Sequence, residues 1–89
     1  MIKDRYLVST IFGGRYLDER LFTSLSKAVD FGCGAAVALI GLGEGYWMVT
    51  VKDRKKDEQV DFCQAEGLGR RRMSKRMARR MMRKGGGRK

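Results

Sequence analysis

Residues 1–66 predict an α+β fold, a ββαββ unit in which one helix lies on a four-stranded, mainly antiparallel sheet. Three observations carry that expectation. Two runs rich in β-branched and aromatic residues flank Gly13-Gly14. Apolar residues recur at helical spacing through 24–40, and two alternating runs, 46–51 and 59–64, flank a charged loop.

The first hairpin is Arg-Tyr-Leu-Val-Ser-Thr-Ile-Phe at 5–12, the glycine pair, and Arg-Tyr-Leu-Asp-Glu-Arg-Leu-Phe at 15–22. Side-chain sorting selects its register. A two-residue loop sets Val8 opposite Glu19 and separates Leu7 and Ile11 from Leu17 and Leu21. A three-residue loop, Gly13-Gly14-Arg15, pairs Ile11 with Leu17 and Leu7 with Leu21, gathering the aliphatic residues on one face. The second register is expected. It puts Tyr6, Phe12, Tyr16 and Phe22 on the other face, where they have two readings. Interleaved with Arg5, Arg15 and Arg20 they could stack single-stranded bases; alternatively they wrap the sheet edge or pack beneath the tail.

Thr23-Ser24 offers an N-cap, and Leu25, Ala28, Val29, Ala36, Leu39 and Ile40 place one helix over 24–40. Gly32 and Gly34 each weaken it by about 1 kcal/mol relative to alanine, but with Cys33, Ala35 and Ala36 they form a surface suited to close packing. The run Gly41-Leu42-Gly43-Glu44-Gly45 follows a helix and precedes a strand. A phosphate-cradling loop has the reverse order, so this one reads as a cap and turn. Trp47, Val49 and Val51 then share one strand face. Residues 52–58 form a charged hairpin loop whose Lys52, Arg54, Lys55 and Lys56 offer a second phosphate contact, and the returning strand puts Val60 and Phe62 on one face.

The last third is different in kind. Residues 67–89 hold eleven basic residues and no acidic one, leaving nine basic against ten acidic residues in 1–66. The net charge of +10 therefore belongs to the C-terminal segment. Gly67-Leu68-Gly69 is a short joint, and 70–89 reads as an Arg/Met-rich helix with a flexible end. Helix-forming residues fill Arg70 to Lys84, while like charges at i,i+4, such as Arg72 with Arg76, oppose helix formation by a few tenths of a kcal/mol per pair. A partly formed helix that phosphates would complete is expected. Met73, Met77 and Met81 align along it, widened by Ala78 and Met82, ready to face the body or a stacked surface.

Composition narrows the function classes. No histidine is present, which removes the usual general base and the Ser-His and Cys-His nucleophile arrangements. Cys33 and Cys63 lack nearby ligands for a zinc site and read as packed, reduced thiols. The longest apolar run, 35–40, is too short to cross a bilayer, and no signal-peptide layout opens the chain. The expectation is a cytoplasmic, non-enzymatic protein without cofactor or metal and without integral membrane association.

Met77-Ala78-Arg79-Arg80-Met81-Met82-Arg83-Lys84-Gly85-Gly86 resembles the methionine-and-lysine-rich segments near the end of the protein subunit of the signal recognition particle, a family that binds RNA and signal peptides. The resemblance covers about a tenth of the chain. A ββαββ body stands where that family has a helical domain, and no function is carried over.

The functional expectation is nucleic-acid binding, RNA ahead of DNA. Arg70, Arg71, Arg72, Lys75, Arg76, Arg79, Arg80, Arg83 and Lys84 would neutralise phosphates, with Tyr6, Phe12 and Tyr16 as stacking partners. The alternative is a small phage or mobile-element inhibitor or adaptor, in the style of anti-CRISPR proteins, that binds a host protein or ribonucleoprotein complex. Open sheet edges also allow a homodimer.

Overall fold

The computed structural model describes residues 3–42, 45–65 and 71–85, with side chains through Met82. Five strands and two helices are present: β1 (Tyr6–Phe12), β2 (Arg15–Phe22), α1 (Leu25–Gly41), β3 (Trp47–Asp53), β4 (Glu58–Ala65), β5 (Arg71–Met73) and α2 (Lys75–Gly85). The sheet runs β2-β1-β3-β4-β5 with every neighbouring pair antiparallel. The protein is α+β, and the sheet has one strand more than the sequence predicts. Strand β5 occupies what was expected to be the first turn of the C-terminal helix. Position along the sheet explains this: Cys63, Gln64 and Ala65 pair with Met73, Arg72 and Arg71, which covers the otherwise open edge of β4.

The hairpin register combines the two alternatives. Its tip is a two-residue turn, because Gly13 and Gly14 adopt φ of 59° and 82° and Phe12 pairs with Arg15. Leu17 is then extruded as a bulge, since Ile11 pairs with Tyr16 and Thr10 with Asp18. The register shift restores Leu7 opposite Leu21, as expected, but Ile11 does not meet Leu17. Tyr16, directly opposite Ile11, consequently lies on the aliphatic face and not with Tyr6, Phe12 and Phe22.

Helix α1 begins where capping chemistry predicts, the Ser24 hydroxyl accepting from the Lys27 amide at 3.3 Å. Its last turn closes by a bond from the Leu42 amide to the Leu39 carbonyl at 3.0 Å. Gly43 and Glu44 lie outside the described residues. The helix carries the chain across the sheet, from edge strand β2 to central strand β3. Its Ala28, Val29, Cys33, Ala36 and Leu39 form the core with Val8, Trp47, Val49, Val51 and Cys63. Tyr6, Phe12 and Phe22 pack against that core, and the Phe22 and Phe31 rings sit 5.4 Å apart.

On β4, Val60 and Phe62 do not share one face as expected. Val51 pairs with Asp61 and Lys52 with Gln59, so Val60 is the extra residue of a second bulge. Asp61 and Cys63 therefore face the helices and are buried, while Phe62 turns to the opposite side. The β3–β4 turn is closed by Asp53, whose carboxylate takes two bonds of 2.8 Å from Arg5 and one of 3.0 Å from the Lys55 amide. Arg5 first, then the turn amides, hold this carboxyl at about 2, well below the usual range.

Candidate nucleic-acid interface

The described part of the basic C-terminal segment, β5 and α2, does not hang free of the body. Its methionine stripe drives the docking: Met77 is fully buried, and Met73 and Met81 pack against the core. The fit depends on Gly32 of α1, where an added Cβ would stand 2.9 Å from the Met77 Cε and 3.4 Å from Val49 Cγ1. Close packing was the expected role of this glycine, but the partner is α2 as well as the sheet. Cys33 completes the contact, its Sγ 3.4 Å from the Met77 Sδ. Burial pushes the Cys63 thiol up to about 11, with neighbouring Cys33 adding to the effect and Arg71 opposing it.

Charge pairing fixes the orientation of α2. Ser74, immediately before the helix, donates its hydroxyl to Asp61 at 2.7 Å and accepts the Phe62 amide at 3.3 Å. Its own amide donates to the Phe62 carbonyl at 2.9 Å, extending the β4–β5 pairing to the helix start. Arg76 bonds the other oxygen of Asp61 at 3.0 Å. Arg80 pairs with Asp30 and bonds the Ser26 hydroxyl of α1 at 3.0 Å. A buried aspartate thus receives a cation and a hydroxyl from the segment that follows it, which offsets much of its desolvation cost.

These contacts divide the predicted phosphate-binding residues. Arg76 and Arg80 are held by acidic side chains of the body, so a phosphate contact would cost those ion pairs. Arg71, Arg72, Lys75 and Arg79 are exposed, and Lys75 and Arg79 have no ion pair among the described residues. Spaced four apart, they lie on one side of α2, turned away from Met77 and followed by exposed Met82. Arg83 and Lys84 continue the helix backbone, with side chains outside the description; Arg70 and the 67–69 joint lie outside the described residues altogether. Of the possible second contact, Lys52 pairs with Asp57 at 2.9 Å and Arg54 bonds the Asp4 carbonyl at 2.7 Å.

The stacking candidates separate in the same way. Tyr6 and Phe12 are on the helix-covered side and half-buried, with the Arg5 guanidinium 5.3 Å from the Tyr6 ring. Tyr16 is 68% exposed on the uncovered face. Tyr46, 69% exposed just before β3, was not singled out from the sequence. The alternation of 46, 48 and 50 against Trp47 was the available signal. The Gly13 amide bonds the Tyr46 carbonyl at 2.9 Å and holds the hairpin tip against this position.

The chain matches no protein-family model, no curated protein and no solved structure. Among the described residues, no helix is long and apolar enough to cross a membrane. No group of three or more histidine, cysteine, aspartate or glutamate side chains is placed there to hold a metal ion.

Proposed function

We propose that the protein binds nucleic acid through the basic surface formed by β5 and α2, with RNA favoured over DNA. The supporting observation is the location of charge. The whole of the net +10 derives from an acid-free segment whose helix is seated on the body by Met77, Arg76 and Arg80. Seating the helix before binding reduces the ordering cost that a free arm would incur on meeting phosphates. Arg71, Arg72, Lys75 and Arg79 supply the contacts, positioned by the sheet edge and by packing.

Four such contacts correspond to a slope of log affinity against log salt of about −3 on single strands. Binding of labelled single-stranded RNA, duplex RNA and duplex DNA across a salt series tests the reading. Lys75→Gln and Arg79→Gln are each expected to weaken binding and to reduce the slope by roughly 0.7–0.9. Absence of salt-dependent binding to all three ligands would refute it. The inhibitor or adaptor reading has one supporting observation, the exposed Leu17 and Leu21. A stoichiometric protein partner that survives nuclease treatment would favour it. A homodimer through the sheet edge has less support: β5 is three residues long and β2 carries the Leu17 bulge, a feature that discourages edge pairing.

A further inference from the structure

Both helices pack on one face of the sheet, and no described element covers the other. One cross-strand row on that face is continuous through direct partners: Tyr16 on β2, Ile11 on β1, Met48 on β3, Gln64 on β4 and Arg72 on β5. Four interstrand spacings of about 4.8 Å make the row roughly 19 Å long. Its middle is a depression lined by Ile11, Met48 and Gln64, with Tyr46 at its rim. Its β5 end is Arg72, at the sheet edge from which the chain continues into α2. The row thus joins two exposed phenol rings, an apolar floor, one carboxamide and a guanidinium.

We infer that this row is a stacking platform for single-stranded nucleic acid, with a base seated in the depression between Tyr46 and Met48 and the backbone leaving over Arg72 toward α2. The inference rests on the proposed nucleic-acid function and specifies the strandedness of the ligand. Bases supply the planar apolar faces that tyrosine, isoleucine and methionine accept, and a carboxamide such as Gln64 is suited to a base edge. Phosphates supply the charge that the β5 end attracts, so one ligand satisfies both ends of the row. In a duplex the bases face each other in the stack and cannot lie on a sheet. The platform therefore distinguishes single strands from duplexes, whereas the basic surface does not.

The test uses the full chain with a short labelled oligouridylate, its DNA counterpart and a duplex RNA. Tyr16→Ala and Tyr46→Ala are expected to lower affinity for the single strands by roughly 5- to 100-fold each while leaving duplex binding and the salt slope unchanged. Tyr46→Leu, which keeps an apolar contact, should recover part of the loss. Thermal unfolding of each variant should match the parent, because both rings are exposed. Unchanged single-strand affinity in both tyrosine variants overturns the platform. If Lys75→Gln and Arg79→Gln still weaken binding in that case, the basic-surface reading stands without it. If the parent protein binds none of the ligands, both readings fall.

Discussion

Replacing Met77 by alanine separates a docked C-terminal helix from a charged tail. The side chain is fully buried between α1 and the sheet, and truncation of a buried methionine costs about 2–5 kcal/mol from lost burial and the cavity left behind. A domain of this length has a total stability of roughly 4–13 kcal/mol, so a loss near 3 kcal/mol is a large fraction of it. The midpoint of thermal unfolding should fall by about 12–24 °C. Met82→Ala is the control: its side chain is 73% exposed, and the change should stay within about 0.5 kcal/mol. Gly32→Ala sharpens the test. In the parent protein the helix-propensity gain of about 1 kcal/mol is opposed by the close approach to Met77. With alanine at 77 that opposition disappears, so Gly32→Ala should stabilise the Met77→Ala background by about 1 kcal/mol more than it stabilises the parent. Urea and thermal unfolding followed by circular dichroism measure the parent and all four variants. A Met77→Ala loss under about 0.5 kcal/mol, with no coupling to position 32, would refute the docking of α2.

Three further outcomes follow from the charges and thiols. Asp53 has its carboxyl held at about 2 against roughly 3.9 in the unfolded chain, so its contribution is present above about pH 4 and is lost as pH falls toward 2; the unfolding midpoint of Asp53→Asn should vary less over that window than the parent's. The Cys63 thiol, raised to about 11 by burial, should resist alkylation at pH 8 in the native protein and react once urea unfolds it; its contribution to stability is present below about 8.5 and lost as pH rises through 11. Arg76→Ala leaves Asp61 buried with only the Ser74 hydroxyl opposing its charge, and after allowance for the half-exposed guanidinium should destabilise by about 1–2 kcal/mol; an unchanged urea midpoint would show that Arg76 does not hold the helix.

Local signals fixed the first part of the fold well. Ser24 marked the helix start, Leu7 opposite Leu21 marked the hairpin register, and the alternation of Trp47, Val49 and Val51 marked a core-facing strand. What escaped were single-residue insertions. A bulge at Leu17 or Val60 has no composition signature, and each moves every later side chain to the other face. The two-residue turn before the first bulge put Tyr16 on the uncovered side; the second bulge brought Asp61 into the core. The fifth strand escaped for another reason: Arg71, Arg72 and Met73 are good helix formers, and a neighbouring edge outweighed that preference. Docking of α2 was partly legible, because a methionine stripe in a basic helix needs an apolar surface. The acids that orient it, Asp30 and Asp61, lie 50 and 15 residues from their arginines, a pairing that only the tertiary fold brings together.

The position of Met77 along the chain has a consequence for biogenesis. The residue that fills the space above Gly32 lies on α2, the last of the described elements in chain order. On a ribosome, strands β1 to β4 and helix α1 emerge first, with Asp61 unpaired and the Gly32 surface open. The domain completes its core only once α2 has followed, and until then it exposes apolar surface of the kind that promotes aggregation. A stop codon or proteolytic cut anywhere before residue 77 would therefore yield an incompletely folded body, so removing the basic segment alters stability and charge together. Premature termination products of this gene should be degraded quickly, a self-imposed check that the cationic segment is present on every folded molecule.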